Sequence, residues 1–254
     1  MANQPDFPFI LVLPQPARPI GWAADALNAP RKEDERMIER DYLMRMISLL
    51  VQALTRVLLQ KQVYDFPGAR LEIDGAYKSM LGMTRAFIRQ FSDLQLIEML
   101  GKDEETVPVK CYVLGSLMHE EADIEQLEGK EAESRLLFVR SAGLLLTAFV
   151  KAGDEIEPGH RAKIDELCLR LRGDVFPVHT MEALFAYNEL LGRYDKAEDV
   201  LFELLQSDTG YRKPGLSFYR RLLTRSDEEL RRGGLPREEV LEALDKLSDQ
   251  GSVS

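Results

Sequence analysis

His119, Glu120, Glu121 and Asp123 stand in one short run, the densest group of metal-ligating side chains in the sequence. The order His-Glu-x-x-Asp is close to the His-Glu-x-x-His helix of zinc proteases, and the four-residue step puts His119 and Asp123 on one face of a helix. An aspartate can replace a histidine ligand. Catalytic zinc also needs a third protein ligand and a positioned base, and the two other histidines, His160 and His179, are far away in sequence. An exposed helix face in a Glu-rich tract accounts for the same letters, so no metal ligand is assigned.

Other chemistries lack their residues. The chain has no Gly-x-Ser-x-Gly elbow, no Gly-x-x-x-x-Gly-Lys loop to cradle phosphate and no dinucleotide fingerprint after a strand. Glu104 with Glu105, and Glu238 with Glu239, read as solvated helix starts favoured by the macrodipole. Cys111 and Cys168 each sit in an amphipathic run without a second ligand nearby, and they read as small apolar packing groups. The expectation is no catalytic residue, no cofactor and no enzyme. The alternative is an enzyme or small-ligand protein whose site forms between helices, helped by a metal at His119.

One tract is basic in an acidic chain. From Tyr211 to Arg232, Arg220, Arg221, Arg225, Arg231 and Arg232 interleave with Phe218 and Tyr219. These arginines could receive an acidic peptide, or they could coat a solvated face and pair with Asp227, Glu228 and Glu229. Across the whole chain 43 acids against 33 bases leave a formal charge of −10, which argues against a general nucleic-acid surface.

The 254 residues are 45% apolar, enough for a sizeable core. The first residues lack the basic start of a signal peptide. The apolar stretch from Ser141 to Val150 is about half of the roughly 20 residues that cross a bilayer. No membrane partner and a cytoplasmic location are therefore expected.

Apolar spacing then supplies the elements. Residues 1–33 carry six of the twelve prolines and the single Trp22, and read as a Pro-rich arm whose Phe7 to Leu13 lie against the body. From Asp34, Met37, Ile38, Tyr42, Leu43, Met46, Ile47, Leu50, Leu54, Val57 and Leu58 recur at three and four through Lys61, a long helix. Leu49, Val51, Ala53 and Leu59 widen its apolar surface, which predicts neighbours on more than one side and makes it the spine of the fold. Capping boxes are expected at Ser92 to Gln95 and Ser226 to Glu229. Helical hairpins are expected around Gly129 and Gly192, and helices are expected to start at Thr106, Asp154 to Pro158, Phe176-Pro177, Pro214 and Pro236. The division is arm 1–33, helical body 34–232, and a C-terminal helix with a frayed tail at 233–254.

The turn Gly192-x-Tyr194-x-x-Ala197-x-x-x-Leu201-x-x-Leu204 resembles the second half of a tetratricopeptide repeat, with Met181 and Leu184 at matching positions of the first helix. Phe185 stands where a small residue usually lets the helices approach, which implies a re-angled hairpin. The small residues Ala69, Ser134 and Ala197 fall 65 and 63 positions apart, close to twice the repeat length of about 34. The fold expected is thus all-α: stacked antiparallel helical hairpins forming a degenerate tetratricopeptide-like α-solenoid. Met37 to Ile47 also resembles the opening of an uncharacterised family of bacterial helical proteins, extending to about Phe149.

In peptide-binding tetratricopeptide repeats the first helix lines a concave groove. The resemblance places His179, Glu182, Ala186 and Glu189 there, an acidic lining suited to a basic segment. A non-catalytic helical-repeat protein that binds a protein or peptide is expected, with Glu182, Glu189, Arg220 and Arg221 as contacts.

Overall fold

The structure is a computed structural model that describes the backbone at residues 29–152 and 158–249 and side chains at 41–152 and 161–249. Residues 1–28 of the expected arm and the cap at Asp154 lie outside those residues, whereas residues 29–33 belong to the first helix, which begins at Ala29 rather than at Asp34. Twelve α-helices and one 3₁₀ turn account for the regular structure of the described residues, with no strand among them. The fold is all-α, and the chain divides into two compact units, Met1–Asp174 and Val175–Ser254.

In the first unit, α1 (Ala29–Gln62) and α2 (Phe66–Leu81) form a hairpin, the short helices α3 (Arg85–Ile88) and α4 (Asp93–Met99) follow, α5 (Thr106–Leu127) and α6 (Glu131–Ala152) form a second hairpin, and α7 (Pro158–Arg170) packs on α6. The α4 capping box forms as expected: Ser92 accepts from the Gln95 amide and Gln95 reaches back to the Ser92 amide.

The spine is α5 rather than α1. Leu43, Met46, Ile47, Leu50, Leu54 and Val57 are buried, a single stripe at helical spacing. Helix α1 packs against both α2 and α5, and Ala53 is buried as the widened apolar surface implies, but Leu49 and Leu59 remain 39% and 58% exposed. By contrast α5 packs against α1, α2 and α6 and is buried on most of its circumference. Its approach to α6 is set at Gly115, where a Cβ would come 2.9 Å from Leu145 Cγ and 3.1 Å from Leu144 Cβ. Ser141 Oγ donates to the Gly115 carbonyl at 2.8 Å across the same seam.

The apolar stretch from Ser141 to Val150 is too short to span a bilayer, but the helical segment Asp41–Gln62 is long and apolar enough by length and composition. Uncharged polar residues hide it from a search for unbroken apolar runs: Ser48, Gln52 and Thr55 interrupt the runs yet leave the average of the segment apolar. The buried stripe of α1 gives the same composition a packing role.

The second unit contains α8 (Val178–Leu190), α9 (Tyr194–Ser207), a 3₁₀ turn (Thr209–Tyr211), α10 (Arg212–Leu222), α11 (Asp227–Arg232) and α12 (Arg237–Asp249). The α8–α9 hairpin turns at Gly192, whose φ of +67° favours a residue without a Cβ. Tyr194, Ala197, Leu201, Phe218, Leu222, Leu230 and Val240 are among its buried core. Phe185 packs its ring edge-on to Phe218 at 5.1 Å, so the bulky residue that departs from the repeat pattern fills space against α10. The Ser226–Glu229 capping box forms at α11.

Candidate functional site

The acidic tract on α5 is largely buried rather than exposed. Glu120, Glu121 and Glu125 are 6%, 2% and 3% exposed. Buried carboxylates survive only when paired, because removing an isolated charge from water costs several kcal/mol. Glu121, Glu125 and Glu128 follow one another at i, i+4 and i+7, and a matching set of cations meets them. Glu121 Oε1 accepts from Arg85 Nε at 2.6 Å and from Arg89 Nη2 at 2.5 Å. Glu125 is bridged by Arg85 at 2.9 Å, Lys130 at 3.0 Å and Arg70 at 3.1 Å. Glu128 takes a two-pronged bond from Arg70, both contacts at 2.7 Å. The hydrogen bonds from Arg70 and then Lys130 hold the Glu128 carboxyl down at about 2.

The neighbouring stripe of α5 carries His119 and Asp123. Offered ligand atoms of His119, Glu120 and Asp123 lie within 4.8 Å of one another. Glu120 thus supplies the third ligand position that sequence spacing left open. A protein cation also enters this group: Lys61 Nζ, from the end of α1, donates to Glu120 Oε2 at 2.5 Å and to Asp123 Oδ2 at 3.1 Å. Burial pulls the Lys61 ammonium down, but Glu120 and Asp123 together hold it above its ordinary value. It therefore stays protonated at neutral pH and is not the neutral amine that nucleophilic catalysis needs.

His119 Nδ1 is buried without a hydrogen-bond partner. The ring stands edge-on to Phe138 at 5.2 Å, and the Arg170 guanidinium lies 3.9 Å over the same Phe138 ring. Burial, then Lys163, drives the imidazole down to about 3 against the opposing pull of Asp123, so it is neutral at pH 7. The cluster is a set of interlocked ion pairs tying α1, α2, α3 and α7, together with Lys130 of the α5–α6 turn, to α5. Sequence reasoning missed Lys61, Arg70, Arg85 and Arg89. The signal was present: Arg85 and Arg89, four apart, match the step from Glu121 to Glu125.

In the second unit two of the four expected contact residues, Glu189 and Arg221, engage each other. Arg221 makes a two-pronged bond to Glu189, both contacts at 2.8 Å, and Tyr211 OH donates to Glu182 Oε1 at 2.6 Å. Arg232 pairs with Glu228 at 2.9 Å and Arg237 with Asp227. Arg220 is exposed and lies outside those contacts. His179 and Ala186 are half-buried.

A groove of about 720 Å³ opens elsewhere in the unit, between α9 and α12. Phe202, Leu205, Ala243 and Leu247 supply its apolar surface, with Phe202 48% exposed. Glu198, Glu239 and Glu242 line it, and Tyr219 OH donates to Glu198 Oε1 at 2.8 Å. Among the described residues Lys246 is the one cation in the lining, and it is tied to Glu242 at 2.6 Å. Burial raises the Glu198 carboxyl against the Tyr219 hydrogen bond, and the nearby charges of Glu239, Asp199 and Asp195 raise it further.

Fold and site define an all-α protein of packed helical hairpins with an internal ion cluster. This chain belongs to a family of unknown function (DUF6483), whose sequence model matches residues 37–252. The match begins at Met37 as the opening residues indicate, but it runs through the second unit rather than stopping near Phe149. No curated protein and no solved structure matches the chain.

Proposed function

We propose that this protein is a non-catalytic helical-repeat protein that binds another protein or peptide. The observation that carries the proposal is the α9–α12 groove, where the exposed Phe202 ring and the partly buried Leu205 and Ala243 lie among three lining carboxylates. The ion cluster of the first unit supports it from the other side, since its carboxylates are bound to cations rather than poised as general bases. The tetratricopeptide-like interpretation belongs to the same proposal and leans on the α8–α9 hairpin with its Gly192 turn. Glu182, Glu189 and Arg221 fasten α8 to the following segment, and Arg220 is kept as a contact for a partner's carboxylate.

A photo-crosslinking residue at position 202 of the full chain is expected to give discrete protein adducts in cells, absent when the same residue replaces exposed Arg232. The same diffuse labelling at both positions counts against protein binding. A second reading, a small-ligand protein with a metal held by His119, Glu120 and Asp123, draws on the unpartnered Nδ1 of His119. It requires Lys61 to leave. A Zn²⁺ titration followed by calorimetry, with heat lost in His119→Ala, supports that reading, and no heat from the native chain ends it.

A further inference from the structure

We infer that the α9–α12 groove takes a basic amphipathic helix from a partner protein; the inference rests on the protein-binding proposal and specifies its occupant. Glu198, Phe202 and Leu205 fall at i, i+4 and i+7 along α9, while Glu239, Glu242, Ala243 and Lys246 fall at i, i+3, i+4 and i+7 along α12. Two helix faces presented at this spacing form the kind of channel into which a third helix lays its apolar side. At about 1.5 Å per residue the lining, from Glu198 to Gln206 on α9 and from Glu239 to Leu247 on α12, runs about 12 Å, room for roughly two turns of a bound helix.

Charge selects the sign of that helix. Glu198 has Glu239, Asp199 and Asp195 as electrostatic neighbours that repel its charge, and the Tyr219 hydroxyl donates to it. Lys246 is already committed to Glu242. Lysine or arginine flanking an apolar face would neutralise the rim while leucine or phenylalanine side chains cover Phe202 and Leu205. An acidic helix would add to the repulsion, and so would a second copy of this chain, whose formal charge is −10.

The test uses the full chain and three labelled peptides of about 16 residues, long enough for four helical turns. One is an amphipathic Leu/Lys helix, one has the same composition scrambled to destroy its apolar face, and one has Glu in place of Lys. In fluorescence anisotropy the amphipathic basic peptide is expected to bind at least about tenfold tighter than either control, a difference of about 1.4 kcal/mol. Glu239→Lys is expected to weaken it about tenfold and Phe202→Asp to abolish binding. Both positions are largely exposed, and circular dichroism checks that each variant is folded.

Equal binding of the acidic peptide, or unchanged affinity in both variants, overturns the inference. So does a native dimer that dissociates in Phe202→Asp by sedimentation, because the groove is then covered by a second copy. Failure of the basic peptide together with discrete adducts at position 202 overturns the basic-helix assignment while leaving protein binding intact. Failure of both removes the broader proposal as well.

Discussion

The two units use carboxylates in opposite ways. In the first, three glutamates of α5 are nearly excluded from water and each is matched by cations from other helices. In the second, Glu198, Glu239 and Glu242 border a groove in which, among the described residues, Lys246 is the one lining cation. Buried charge demands complete pairing, so the first arrangement fixes how helices meet and leaves nothing over for a partner. Charge at a wet rim tolerates imbalance, and that imbalance is what can choose a partner.

Breaking a pair in the first unit gives the sharpest contrast. Lys61→Met should cost roughly 3 to 5 kcal/mol at pH 7, because it strands Glu120 in a site where both side chains are about nine-tenths buried. Urea titrations of the native chain and the variant at pH 7 will show the loss. A cost below about 1 kcal/mol would mean that water reaches the cluster and that the two units do not differ in kind.

Apolar cores should make the units look alike. Leu145→Ala in the first and Leu222→Ala in the second, both 2% exposed, should each cost roughly 2 to 5 kcal/mol by chemical denaturation. A markedly smaller loss at Leu222 would locate the difference between the units in packing rather than charge.

His119 adds a pH signature to the first unit alone. Its folded value lies near 3, below the ordinary 6.5, so the unfolded chain binds the proton more readily. The stability that a neutral His119 contributes is complete above about pH 6.5 and is lost as pH falls toward 3. Subtracting the stability curve of His119→Leu from that of the native chain should leave this acid limb, and a flat difference would show that the imidazole is well solvated. The smallest effect belongs to Arg221→Ala, which breaks an exposed pair with Glu189 and should cost at most about 1 kcal/mol.

The features legible from sequence were those governed by local spacing. Apolar steps of three and four marked the helices, and the Ser92 and Ser226 boxes were placed correctly because a cap and its partner lie three residues apart. The errors arose wherever a distant segment decided the outcome. Leu49 and Leu59 obey the apolar pattern yet stay exposed, since periodicity states which residues share a face and not whether a neighbour covers it. The run from His119 to Asp123 was assigned to a solvated face because carboxylates within one helix do not reveal the Lys61 and Arg85 that neutralise them from about 60 and 35 positions away.

What the sequence alone determined is therefore the all-α class, the two capping boxes and the absence of familiar catalytic motifs, all properties of neighbouring residues along the chain. Tertiary structure decided which acids are buried and which stand open at a groove. That distinction depends on desolvation, and water is removed from a side chain only when residues remote in sequence close over it.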